Sequence, residues 1–266
     1  MRNVQSMCIS GLAVMLVLNT AAGQDFSAEL KRGHSLLDQL TSKPLTPRQV
    51  YAELWADDKV VGYLFIRVGQ GKESPIESRV ETVIQMPGMH VSGVVKVETD
   101  LKLQPRLLEL DRSVRQPDGK VMTRQQSIEA KNGKLEMIAR QGDRLQKQAK
   151  PLPKQPFFFS VELLAARWDL GRADQPFALH ELNPDTGAPR LLVFRPSIGR
   201  WHTGPEDLCG RSKPEATYRF TKEGKLISWS EAGAPLVSKV VDEKRGAALI
   251  KQFGKPHAEA VASKPE

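Results

Sequence analysis

The side chains best suited to bond-making chemistry in this sequence are the thiol of Cys209 and the imidazole of His202, seven residues apart in a stretch that also carries Glu206 and Asp207. An imidazole that takes the proton of a thiol makes it a nucleophile. That requires contact between the side chains, which the spacing does not establish, and no family-specific sequence surrounds Cys209. A partly buried thiol and a loop histidine are the expected roles. The five histidines, His34, His90, His180, His202 and His257, show no ligand spacing such as two His four apart on a helix, so neither a metal nor a cofactor is expected. Gly69-Gln70-Gly71-Lys72 has the glycines and lysine of a phosphate loop. It lacks the Gly-Lys-Ser/Thr ending and a following helix, and reads as a hairpin loop. With no catalytic motif, the chain is not expected to be an enzyme.

Binding chemistry has a better basis in the aromatic residues. Tyr51, Trp55, Tyr63, Phe65, Phe157, Phe158, Phe159, Trp168, Trp201 and Trp229 are spread over the strand-like segments. Most are core residues by type. A subset, Trp55, Tyr63, Phe65, Phe158 and Trp168, is expected to line an apolar pocket if the sheet curls and its concave side is loosely covered.

The elements that must position these residues follow from periodicity. Phe26, Leu30, Gly33, Leu37 and Leu40 recur at helical spacing behind Ser27, which predicts an amphipathic N-terminal helix ended by Pro44 and Pro47. From Val50 the period becomes two. Asp57-Asp58-Lys59, Pro87-Gly88, Pro117-Asp118-Gly119, Asn132-Gly133 and Gln141-Gly142-Asp143 separate short alternating strands, which predicts an antiparallel meander without crossover helices. Val60 to Val68 is apolar on both faces and must be covered on both. Arg140 to Lys154 is basic and reads as a polar edge strand. Residues 160–168 follow with the spacing of one short inserted helix, placed to cover the open side of the sheet.

Strands then resume at Phe177–Leu182, Arg190–Arg195, Tyr218–Phe220, Leu226–Glu231 and Leu236–Val241, whereas Ala247–Phe253 fits either a strand or a helix. The fold class is therefore mainly β, a curved, half-barrel-like antiparallel meander with an N-terminal helix and one short inserted helix. Residues 24–47 form the helix and its connection, 48–254 a single β domain, and 255–266 a disordered tail.

Residues 1–23 carry the three parts of a secretory signal peptide: Arg2, an apolar run from Gly11 to Leu18, and Ala21-Ala22-Gly23 as a cleavage site near Gly23. The run is too short to span a bilayer. Cys8 precedes it, so it is not a lipid attachment point, and Cys209 alone remains after cleavage. The mature chain would keep 243 of 266 residues, and its formal charge would fall from +8 to +7 with the loss of Arg2. Export to the periplasm or cell envelope places that charge near anionic lipids and acidic polymers, and nucleic acid is not an expected partner.

The signal peptide, the N-terminal helix, the meander with its early Trp55 to Gly62 hairpin, and Phe157 to Trp168 as an inserted helix together resemble the unclosed β-barrel superfamily of exported lipoprotein carriers and receptors and related bacterial envelope proteins. The resemblance spans most of the mature chain and is architectural, with no motif to transfer binding residues. Export, the alternating strands and the aromatic cover together lead to the expectation of a lipid or other apolar or amphipathic ligand in the concave half-barrel. The alternative is an envelope adaptor that binds a protein or anionic polymer through Arg140 to Lys154. An enzyme centred on Cys209 and His202 comes third, and the amphipathic N-terminal helix allows peripheral membrane contact.

Overall fold

The computed structural model describes residues 25–41, 47–70, 76–100, 104–154, 156–158, 175–183, 186–197, 200–205, 216–222, 225–231 and 235–256. Their strands form one sheet of fifteen, not closed into a barrel. After helix α1 (Ser27–Thr41) come β1 (Arg48–Ala56), β2 (Lys59–Gly69), β3 (Ile76–Met86), β4 (Met89–Thr99), β5 (Pro105–Arg115), β6 (Val121–Lys131), β7 (Lys134–Gln141) and β8 (Arg144–Pro151). Each pairs antiparallel with the one before it.

The second run comprises β9 (Phe157–Phe158), β10 (Phe177–Leu182), β11 (Pro189–Ser197), β12 (Arg200–Pro205), β13 (Ala216–Phe220), β14 (Leu226–Glu231) and β15 (Leu236–Val241), followed by helix α2 (Glu243–Phe253). β15 pairs with β1 from Tyr51↔Val241 to Ala56↔Leu236, and this joins the two runs. β8 and the two-residue β9, which lies parallel to β10, are the ends of the sheet.

The hairpins sit where residues that tolerate positive φ occur. Asn132 and Gly133 both adopt it, at 51° and 73°, matching the twist of the flanking strands, and Gly142 does so at the β7–β8 tip. β12 falls in a stretch that Gly204 and Pro205 make read as loop; pairing with β11 and β13 overrides that composition.

Ala247–Phe253 resolves as helix. Asp242 caps its N-terminus by accepting from the Arg245 amide at 2.7 Å, and Gly254 closes it at positive φ. At α1 the carboxylate that accepts the Ser27 amide belongs to Asp25, two residues ahead of the Ser27 cap expected from the sequence. Residues 160–168 and most of 255–266 lie outside the described residues.

Alternation divides the sheet into two faces. Ala52, Ile66, Val68, Val97, Leu108, Ile128 and Met137 from the first run share one core with Phe177, Leu192, Tyr218 and Trp229 from the second, so the sheet curls around this face. On the convex face α2 lies over β1 to β3, packing Leu249 and Phe253 against Tyr63 and Val83. Tyr63 donates to the carbonyl of Gly254 at 2.9 Å, and Gln85 to that of Phe253 at 3.3 Å. Buried Glu53 accepts from both Arg245 of α2 and Trp55.

At the other end α1 runs along the edge of β10. Arg32 donates to the Pro176 carbonyl, Phe26 and Leu30 join Ala178 and Val193, and Leu36 and Leu37 reach the main core. Gly33 permits this approach, because a Cβ there would stand 2.0 Å from the Ala178 carbonyl oxygen. In an exposed helix, Gly→Ala stabilises by about 1 kcal/mol. Here Gly33→Ala is expected to destabilise instead, by about 1–3 kcal/mol. A urea midpoint equal to or above that of the wild type would contradict the packing.

Candidate functional site

The concave face was the expected binding surface, and its apolar part is filled by its own side chains. Ile66, Ile128, Leu135, Leu179, Leu182 and Phe194 are each at most 1% exposed. A void large enough for a water molecule beside them would leave measurable surface, so they pack against neighbouring atoms. The accessible part of this face is polar. Arg112 and Arg124 of β5 and β6 are half-buried there, with Arg124 donating to Gln126 at 3.0 Å, and Gln141, Arg144, Gln146 and Gln148 of β7 and β8 are exposed.

The expected pocket aromatics are not gathered in one place. Phe158 lies on the concave side, buried in the core. Tyr63 and Phe65 belong to the convex face under α2, and Tyr51 stacks on Phe65 at 4.7 Å between ring centres. Trp55 is on that face too, with the Lys239 ammonium 3.8 Å from its ring centre. Trp168 lies outside the described residues. The parity of β1 and β2 explains the correction: Ala52, Leu64, Ile66 and Val68 take the inside, and the bulkier aromatics become the floor for a helix that the sequence left undecided. Burial, with the Glu81 charge adding to it, pushes the Tyr63 phenol up to about 12.

Cys209, Glu206, Asp207 and the His202 side chain fall outside the described residues, as do Gly71 and Lys72 of the glycine-containing loop. Gly69 ends β2, beside a cleft lined by Arg48, Arg67, Gln70 and Glu77. Arg67 and Glu77 neutralise one another across it at 3.5 Å. Among the described residues no cluster of three or more His, Cys, Asp and Glu could hold a metal ion.

Several charges on the convex face are paired as well. Arg79 meets Glu81 at 2.7 Å, Lys96 meets Glu98 and Glu77, and Arg245 meets Glu53, while on the core-facing side of β10 and β11 Arg190 meets Glu181. The β7–β8 ribbon differs. Its base is anchored by buried Leu135 and Met137 and by Lys150, which donates to the Thr186 carbonyl. Residues 141–149 beyond it are exposed on both faces. From 134 to 154 the sequence has Lys134, Arg140, Arg144, Lys147, Lys150 and Lys154 against Glu136 and Asp143. Among the described residues Arg140, Arg144 and Lys147 enter no ion pair. The basic edge strand was legible in the sequence; the missing counter-charge was not, because it depends on which carboxylates neighbouring strands bring alongside.

The fold also brings together His34 of α1 and His180 of β10, which no sequence spacing suggested. His34 Nε2 and His180 Nδ1 are both buried without a hydrogen-bond partner. Burial, and then the neighbouring His34, hold the His180 imidazole below its ordinary value of 6.5.

The fold is thus that of an open, barrel-like antiparallel domain, and solved structures of this kind are similar to it. One is a β-barrel-like protein of the domain of unknown function DUF1849 from Brucella abortus, 10% identical with a TM-score of 0.45, the match covering 75% of this chain and 98% of that one. Another is a DUF1089 family protein from Pseudomonas aeruginosa, 13% identical with a TM-score of 0.37, covering 68% and 93%. Likeness at this level bears on neither activity nor ligand. No family model matches the sequence, and no curated protein matches it.

The depressed His180 makes the fold acid-sensitive in a defined direction. The unfolded chain binds a proton that folded His180 resists, so stability is full above 6.5 and is lost as pH falls from there through the folded value. The urea midpoint is expected to drop on acidification below 6.5, and His180→Gln to flatten that drop. Equal slopes for the two proteins would rule out this contribution.

Proposed function

We propose that the protein is exported to the cell envelope and acts there without catalysis, binding an anionic partner on the cationic ribbon formed by β7 and β8. The observation that carries this reading is the clustering of unpaired cations on one exposed ribbon. Among the described residues Arg140, Arg144 and Lys147 enter no ion pair and stand together at the outermost edge, on a ribbon whose residues 141–149 are exposed on both faces.

Lysines and prolines on an edge strand also keep a further strand from adding. Lys147, Lys150 and Pro151 meet that need. Arg140 on the inner strand of the ribbon does not serve it, since β7 is already paired on both sides. Cations concentrated on a projecting tip steer an anionic partner and hold it in a salt-dependent way. The signal peptide and the architectural resemblance to exported carriers and receptors support the compartment, where anionic partners are abundant. An apolar ligand inside the half-barrel is less well supported, because the core occupies the apolar part of the concave face.

Polyglutamate is a minimal soluble probe of this reading. Wild-type protein is expected to bind labelled polyglutamate in fluorescence anisotropy, and the triple reversal R140E/R144E/K147E to bind at least about tenfold more weakly with an unchanged melting temperature. The wild-type affinity is expected to fall as salt is added. Equal binding by the two proteins would overturn the assignment of the ribbon.

A further inference from the structure

We infer that the anionic partner of the ribbon is a lipid surface, on which the convex face of β7 and β8 lies flat. The inference rests on the ribbon being the binding surface and is carried by a second property of it. Ile138 is 42% and Leu145 47% exposed, two of only six large apolar side chains so exposed among the described residues. Both lie on the ribbon, next to its unpaired cations.

The register fixes their arrangement. Arg140 faces Leu145 and Ile138 faces Lys147, and because Met137 and Leu135 point into the core, all four of these residues belong to the convex face. They form a square in which cation and apolar side chain alternate along both strands and across them. The flanking positions on β6, Gln125 opposite Arg140 and Ser127 opposite Ile138, are uncharged. The carboxylates nearby are Glu136 and its β6 neighbour Glu129, one row back toward the base of the ribbon, and Asp143 in its turn. Arg144, on the opposite face at the tip, adds to the attraction at a distance.

A soluble polyanion has use only for the two cations of this square. A bilayer has use for all four residues, since phosphates at headgroup depth meet the long Arg140 and Lys147 side chains while the acyl boundary just below accepts Ile138 and Leu145. Apolar side chains exposed beside a pair of cations that enter no ion pair are costly in water and are accounted for by such a surface. Among the described residues no helix is long and apolar enough to cross a membrane.

The test uses the mature chain and phosphatidylcholine vesicles with or without phosphatidylglycerol, alongside polyglutamate as the soluble anion. Wild type is expected to sediment with the phosphatidylglycerol vesicles and not with pure phosphatidylcholine. I138S/L145S is expected to lose about tenfold in vesicle affinity while binding polyglutamate as wild type does and melting at the same temperature, both side chains being outside the core. Vesicle binding unchanged in I138S/L145S, or wild type that binds polyglutamate but no vesicle, would overturn the lipid inference and leave the ribbon reading standing. Binding to neither probe would overturn both.

Discussion

The structure depends on the pairing of the first strand with the last. β1 is hydrogen-bonded to β2 on one side and to β15 on the other, and without the second ladder the fifteen strands would be two separate meanders with exposed edges at their centre. The two segments are about 180 residues apart in sequence, so the loop-closure entropy of bringing them together is large and must be offset by what the junction buries. α2 supplies part of that. It follows β15 directly, crosses back over β1 to β3, and is held there by Glu53, Tyr63 and Gln85. Gly246 seats it against the Tyr51 ring, where a Cβ would stand 2.3 Å from the ring carbons.

Once the runs are joined at their centre, curling brings their outer parts around a common core, and the two free ends become the places where the sheet meets its surroundings. The ends are treated differently. The β10 side is closed by α1, which covers the edge and contributes Phe26, Leu30, Leu36 and Leu37 to the packing on either side of it. On the β8 side no helix among the described residues gives such cover, and residues 141–149 are exposed on both faces. The proposed binding surface lies at the end of the sheet farthest from the β1–β15 junction, where a partner would engage the ribbon without disturbing the pairing that holds the two halves together.

Much of this architecture was legible in the sequence because it is local. Asp57-Asp58, Pro87-Gly88, Asn132-Gly133 and Gly142 announce hairpins by the backbone angles they permit, and the alternation between them locates the strands. The basic edge at Arg140 to Lys154 was readable in the same way. What escaped is nonlocal. Val60 to Val68 is apolar on both sides, so alternation could not say which side turned inward, and Trp55, Tyr63 and Phe65 went to the convex face. The cap signals Asp242 and Gly254 would have identified α2 had they been weighed together. No spacing along the chain hints that His34 meets His180, or that β12 is held as a strand from both sides.

Hydrogen exchange on the mature protein in the presence of phosphatidylglycerol vesicles is the most direct test of the account, which holds that binding is confined to the projecting ribbon. Amides of residues 138–149 are expected to gain protection on binding, with those of the β1–β15 ladder and of α2 unchanged. Protection gained instead on the strands lining the core, at Ile66, Leu108 or Phe194, with the ribbon unaffected, would contradict it and return the binding surface to the concave face.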